Sequence, residues 1–396
     1  MGDYRIDGRV VKGSRVLALA CVLTLLHYIG AFMRVPILPL YASAHGTTTT
    51  GVGLIMGAHM VVAALSAIPF GLASDRLGRR ALLLGGTALS AGTTLLLPLV
   101  ETPAALMAIY GAAGLGVSAF TPAMMSLVGD VSSPGTVGRG YAWYSTALYA
   151  GFGLGPIFGG YVAELWGHRV ALVAAGTTIA VRLAIGFWIP RTAAPRGGGQ
   201  APRAAFAEIR RNRRVWAGWI ATVAGLGPWG AVMTFFPLLA HDRGIPPSEI
   251  GLVFGVQSLV STVTRLPVGW LLDRTGARGP YMVGGLLAAA LGTSLIPFLS
   301  TGGEYVALGA VQGVVLAMAF VAIGASLSEA STPATRGLAM GGYSTAIFVS
   351  IGLASLALGP VIVRCGYAAG FILAGVAGAV GALVSAALWA APTRAR

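Results

Sequence analysis

A chain of 396 residues, 56% hydrophobic and 10% charged, with a mean hydropathy of +0.80, is too apolar to persist in water as a soluble domain. Its formal net charge of +14 would admit nucleic acid as a partner, but the placement of the charges excludes it. With the amino terminus in the cytoplasm, 20 of the 26 Lys and Arg residues lie on the cytoplasmic side and only Arg169, Arg243 and Arg364 lie outside, which is the positive-inside bias of a polytopic protein.

That bias predicts a multi-pass protein of the plasma (inner) membrane, both termini cytoplasmic, with membrane lipid as its standing partner through anionic headgroups. Apolar runs of membrane length predict an all-α fold with spans near 16–41, 51–70, 81–100, 104–127, 141–163, 170–190, 216–240, 250–271, 281–300, 304–328, 338–362 and 367–390. These are twelve helices in two sets of six. The basic segment Met1–Ser14 reads as an inner-leaflet anchor, and the first span as a retained helix, not a cleaved signal peptide.

The first helix carries His27 and, seven residues on, Arg34, on nearly the same face; Pro36 and Pro39 bend its outer part. His59 sits near mid-depth of the second helix. The knot GLASDRLGRR, Gly71 to Arg80, reads as a short polar loop: Gly71 and Gly78 let the backbone turn, Asp75 offers an acceptor at a helix end, and Arg76, Arg79 and Arg80 hold the loop inside. The fourth helix places Tyr110, Gly114 and Thr121 on one face and ends at Asp130. In the fifth, Gly151, Gly155 and Gly159 recur every four residues beside Pro156 and Gly160, a face stripped for close helix approach. The sixth holds Arg182. From Arg191 to Arg214 the chain turns rich in Arg, Gly and Pro, a flexible cytoplasmic linker whose last part lies as a basic helix on the membrane. The domains expected are therefore 1–190, a linker at 191–214, and 215–396.

The second half repeats the first. GWLLDRTGAR, with Asp273 and Arg274, follows the first knot by 198 residues; Asp130 aligns with Glu329, and LPLYA at 38–42 with FPLLA at 236–240. Six spans before the linker make the halves parallel repeats, with a substrate site expected between them near the bilayer midplane.

Arg34, Arg182 and Arg265 are the formal charges within spans, each costing about 2.5 to 3.5 kcal/mol at a helix centre. Arg182 and Arg265 lie near the inner ends of their helices and are expected to snorkel to the cytoplasmic surface. Arg34 either meets an anionic substrate group, snorkels outward, or donates to carbonyls freed around Pro36 and Pro39. No carboxylate lies deep within a span, so the candidates for proton coupling are His27 and His59, with Asp130 in reserve. Tyr110, Thr121, Tyr144, Trp229, Gln257 and Gln312 are candidate linings for a bulky, partly apolar small molecule. No His-Glu-x-x-His, Gly-x-Ser-x-Gly or nucleotide-binding glycine loop is present, so no enzyme, cofactor or metal is expected. Cys21 and Cys365 predict no disulfide framework. A monomer is expected.

These residues carry a resemblance over nearly the whole chain. The sequence resembles a twelve-helix member of the major facilitator superfamily, whose signature between helices two and three matches Gly71–Arg80. Ile29-Gly30 followed by Pro36 and Pro39 resembles the first-helix pattern of its drug:proton antiporters, and Gly151 to Gly160 the fifth-helix motif of its exporters. The resemblance implies alternating access by two six-helix bundles, proton-coupled export of amphiphilic molecules, or else transport of a metabolite or organic anion. It also implies a switch in which Asp75 meets a helix end of the other half and the signature arginines pair with Asp130. The chain departs from the antiporters in carrying Tyr110 where many have arginine, and no carboxylate in the first helix.

Overall fold

Inside a bilayer every backbone N–H and C=O must find a partner within the protein, and long apolar segments satisfy this as helices. The computed structural model describes residues 3–6, 9–132, 137–189, 202–332 and 335–390, with the side chains of 3–6, 9–12, 71–77 and a few shorter stretches outside the description. Its helices are α1 (Gly13–Ala44), α2 (Thr49–Leu77), α3 (Arg79–Leu96), α4 (Pro103–Val131), α5 (Val137–Trp166), α6 (His168–Gly186), α7 (Pro202–Arg211), α8 (Arg213–Asp242), α9 (Pro247–Thr275), α10 (Arg278–Leu295), α11 (Gly302–Ala330) and α12 (Arg336–Ala390). The helix starts follow local chemistry. The Asn212 side chain accepts from the N–H groups of Arg214 and Val215, and Thr301 and Glu304 form a reciprocal capping box.

Among the described residues, ten helical runs are long and apolar enough to cross a membrane, the last being Leu338–Ala390. Gly366, with φ of 81°, divides that run into two limbs, a left-handed conformation that glycine adopts without steric cost. Counting both limbs, and adding the glycine-rich 30-residue α5, gives twelve membrane-length helices among the described residues, an all-α fold. The expected spans at 338–362 and 367–390 therefore meet without a loop.

The structure adds detail at the amino terminus and in the linker, and corrects the expectation at 71–80. Within Met1–Ser14, β1 (Asp3–Ile6) pairs antiparallel with β2 (Arg9–Lys12), the one strand pair among the described residues. The segment at 71–80 is hardly a loop: α2 continues to Leu77, and Gly78, with φ of 83°, turns the chain directly into α3. Gly71, Asp75 and Arg76 lie on helix, since nothing in GLASDRL before Gly78 breaks it; their side chains lie outside the description. Of the linker, 191–201 lie outside the description, Pro202–Arg211 is a basic helix, α7, as expected for its last part, and α8 begins at Arg213.

The chain divides into two compact units. Unit 1 comprises Met1–Thr48, Ala58–Gly197 and Pro246–Ser258; unit 2 comprises Thr49–Gly57, Gly198–Ile245 and Leu259–Arg396. In unit 1 the core gathers Leu23, Tyr28, Phe120, Met124 and Leu127 between α1, α3 and α4. In unit 2 it gathers Met282, Leu286, Ala319, Ile323 and Leu327 from α10 and α11 with Ala221 and Ala224 of α8. Because lipid tails are as apolar as these side chains, helix association rests on close packing more than on burial. Small residues therefore recur at the tightest crossings.

Candidate functional site

Unit 1 carries its charges in the interior, arranged as two similar layers. In the outer layer Arg34 of α1 is 2% exposed, and its Nη1 donates to Thr94 Oγ1 of α3 at 2.6 Å. The guanidinium lies 5.1 Å from the ring centroid of Tyr110 on α4, and His59 of α2 stacks on the same ring at 4.3 Å and 15°. His59 Nδ1 is 2.9 Å from the Tyr110 carbonyl oxygen; a carbonyl only accepts, so this contact puts the proton on Nδ1.

Two turns further in, Arg182 of α6, also 2% exposed, donates through Nη1 to Thr87 Oγ1 of α3. Its guanidinium lies 4.0 Å from the ring centroid of Phe120 on α4, and the His27 ring sits 4.0 Å from that same ring. Each layer thus joins an arginine, a threonine of α3, an aromatic ring of α4 and a histidine. The threonines serve twice, because Thr94 donates to Ser90 O at 2.7 Å and Thr87 to Leu83 O while each accepts from its arginine. A desolvated cation–π contact contributes about 2 kcal/mol and a charge-assisted hydrogen bond about 1.5 to 3. Together these match the cost of placing each cation in the membrane, without removing its charge.

This overturns the snorkelling expectation for Arg182, since α3 and α4 offer the guanidinium a hydroxyl and a ring inside the unit. Arg34 likewise neither snorkels nor donates to carbonyls near Pro36 and Pro39, but reaches the threonine hydroxyl. Arg265 is half-buried on α9. His27 differs from His59 in that it is fully buried, yet neither Nδ1 nor Nε2 has a hydrogen-bond partner among the described residues.

The remaining lining candidates disperse. Thr121 exchanges a hydrogen bond with the Tyr28 hydroxyl at 3.3 Å, and Tyr144 packs with Tyr28 in the unit 1 core. Gln257, on the part of α9 belonging to unit 1, is buried. Trp229 and Gln312 belong to unit 2: Trp229 is half-buried, whereas Gln312 Nε2 donates to Ala289 O at 3.1 Å and Thr293 Oγ1 at 3.4 Å. Thr87, Thr94 and Phe120 were not candidates, although Thr87 and Thr94 share the seven-residue spacing of His27 and Arg34.

At the inner end Arg79 pairs with Asp130 and donates to Ser126 O at 2.8 Å. Arg80 turns instead to Phe187 O, 2.8 Å away beyond the end of α6. In unit 2 Arg278, the last residue of the second knot, pairs with Glu329. The switch candidates Asp273 and Arg274 are instead exposed, Arg274 lying 5.2 Å from the Trp270 ring centroid. The glycines of α5 serve two neighbours. Gly151, Gly155 and Gly159 face the backbone of α1 near Leu25, Ile29 and Met33, whereas Gly160 and Pro156 meet Pro247, Ser248 and Gly251 at the start of α9.

Comparison with known proteins agrees with this architecture. The family model of the Major Facilitator Superfamily matches residues 20–239 and again 218–396. The chain is 21% identical over 367 residues to an uncharacterised MFS-type transporter of Methanocaldococcus jannaschii, covering 89% of this chain and 92% of the relative. It is 25% identical over 364 residues to a chloramphenicol resistance protein of Pseudomonas aeruginosa, covering 89% and 84%. The fold is similar to that of a bacterial homologue of the human lysosomal transporter Spinster, with a TM-score of 0.79 at 16% identity and 96% of each chain covered. With its doubled signature segment, its repeated six-helix plan and a family match in both halves, the chain belongs to the Major Facilitator Superfamily and is a multi-pass membrane transporter of small molecules.

Proposed function

We propose that this transporter exports small amphiphilic, drug-like molecules in exchange for protons, by alternating access, from the plasma (inner) membrane with both termini cytoplasmic. The observation that carries the reading is His27, fully buried with neither ring nitrogen hydrogen-bonded among the described residues, in a chain with no carboxylate deep within a span. Histidine is the side chain whose unperturbed pKa lies nearest physiological pH, and a proton taken up by the ring nitrogen that carries none would give the ring a charge. His59, already engaged through Nδ1, stands second. The drug-resistance relative, the first-helix pattern at Ile29–Pro39 and the glycine face of α5 support the export direction. On this reading Arg79 with Asp130, and Arg278 with Glu329, are inner latches that differ in strength between the two access states, and Asp75, Arg76, Asp273 and Arg274 belong to the same switch. Nothing in this reading calls for an enzymatic step.

A second reading, transport of an organic anion, is favoured by Arg34 and Arg182, two buried cations in a chain with no acidic residue deep within a span. The test is uptake of amphiphilic dyes into inside-out vesicles with an acidic interior, comparing wild type with His27→Ala. The variant is expected to lose gradient-driven accumulation and keep downhill exchange; accumulation equal to wild type would remove His27 as the proton carrier.

A further inference from the structure

Arg182 is the buried cation that export by way of His27 leaves unexplained. Its Nη1 is held by Thr87, but its Nε–H has no acceptor among the described residues. His27 lies against the same Phe120 ring, and a neutral imidazole carries one N–H, here also without an acceptor. Two donors beside one ring thus lack an acceptor among the described residues, in a layer of positive formal charge. A water molecule would satisfy hydrogen bonds but leave the charge. A group that answers both is an acceptor that is also an anion.

The fold itself does not require such a layer. At the repeat positions of His27 and Thr87 unit 2 has Gly225 and Gly285, and in the other layer Val232 and Gly292 stand for Arg34 and Thr94, with the uncharged Gln312 packed against Gly292. Beside the cationic layer stands an aromatic wall, with Phe32 and Phe152 stacked at 3.9 Å and Tyr28 edge-on to Phe152 at 4.9 Å.

We propose that Arg182, His27 and Thr87 form the seat of a carboxylate or comparable monovalent acidic group, with Phe120, Tyr28 and Phe152 receiving the attached apolar body. The transported amphiphiles are then aromatic or apolar acids. A carboxylate suits this seat because its two oxygens can accept from Arg182 Nε–H and the His27 N–H together, while Thr87, whose hydroxyl proton goes to Leu83 O, holds the guanidinium in place. The inference rests on the transporter reading for its substrate class, while the seat itself can be tested without transport.

The experiment uses the full chain in nanodiscs of neutral lipid and measures binding of radiolabelled benzoate at constant ionic strength, with benzyl alcohol and chloride as competitors. Wild type is expected to bind benzoate saturably and to be indifferent to benzyl alcohol. Arg182→Gln should weaken binding by about tenfold or more, Arg182→Lys should restore most of it, and Arg265→Gln, a charge-matched change elsewhere, should leave it at wild-type level. Equal benzoate binding by wild type and a monodisperse Arg182→Gln protein overturns the seat. Chloride binding without benzoate binding overturns the substrate class and assigns the cations to inorganic anions. Gradient-driven accumulation of uncharged dyes measured in parallel reports on the exporter reading separately, since that reading survives even if benzoate never binds.

Discussion

At the residue scale, two threonines of α3 decide where the charges of unit 1 can sit. Each hydroxyl donates to a carbonyl of its own helix and accepts from a buried guanidinium, so replacing Thr94 by the isosteric Val leaves Arg34 short of its acceptor. Thr94→Val should therefore lower stability by about 1 to 3 kcal/mol, read as a drop in thermal unfolding temperature in detergent. Thr93→Val is the comparison, because Thr93 bonds only to Leu89 O and Ser90 O of its own helix, and it should stay within about 0.5 kcal/mol of wild type. The sequence showed His27 and Arg34 on one face, because a seven-residue spacing on a helix is a geometric statement. It did not show their partners: threonine is an ordinary helix residue in an apolar chain, and only packing tells which hydroxyl meets a cation. Arg182 was misplaced for a related reason, since distance from a helix end measures reach to the surface and says nothing of a nearer acceptor inside.

At the element scale, α5 shows why glycine count alone is a poor guide. A Cβ at Gly155 would come 2.7 Å from Ile29 O and 2.9 Å from Phe32 Cβ, whereas at Gly92 of α3 it would meet nothing within 4 Å. Gly155→Ala must push backbone from backbone and should destabilise by about 1 to 3 kcal/mol. Gly92→Ala, mid-helix and in open space, should stabilise by about 0.5 to 1 kcal/mol. Thermal unfolding of the two variants in one detergent checks the opposite signs. The four-residue recurrence of Gly151, Gly155 and Gly159 made their common face legible in the sequence. That Gly160 and Pro156 turn to α9 was not legible, because nothing in α5 names its second neighbour. The limits of α2 and α12 were also obscured, since a polar or glycine-containing stretch can remain helical, as Ser74 to Leu77 do, until a residue such as Gly78 or Gly366 leaves the right-handed region.

At the scale of the whole molecule, the recurrence at 198 residues reveals the two-half plan, and the pairs Arg79–Asp130 and Arg278–Glu329 show the same inner contact built in each unit. What the repeat could not reveal is where the halves differ. The buried cations and histidines are concentrated in unit 1, and unit 2 meets the corresponding positions with valine, glycine and an amide. A chain that places its buried cations and buried histidines in one unit, with no carboxylate deep within a span, has a built-in asymmetry, and the proposed proton-coupled export would give that asymmetry a purpose. The most direct measurement reconstitutes the wild-type protein in liposomes with an acidic interior and a trapped pH indicator, then adds amphiphilic compounds outside. The account predicts that each compound taken up releases internal protons in proportion to its uptake. Uptake that leaves the gradient untouched would contradict proton coupling.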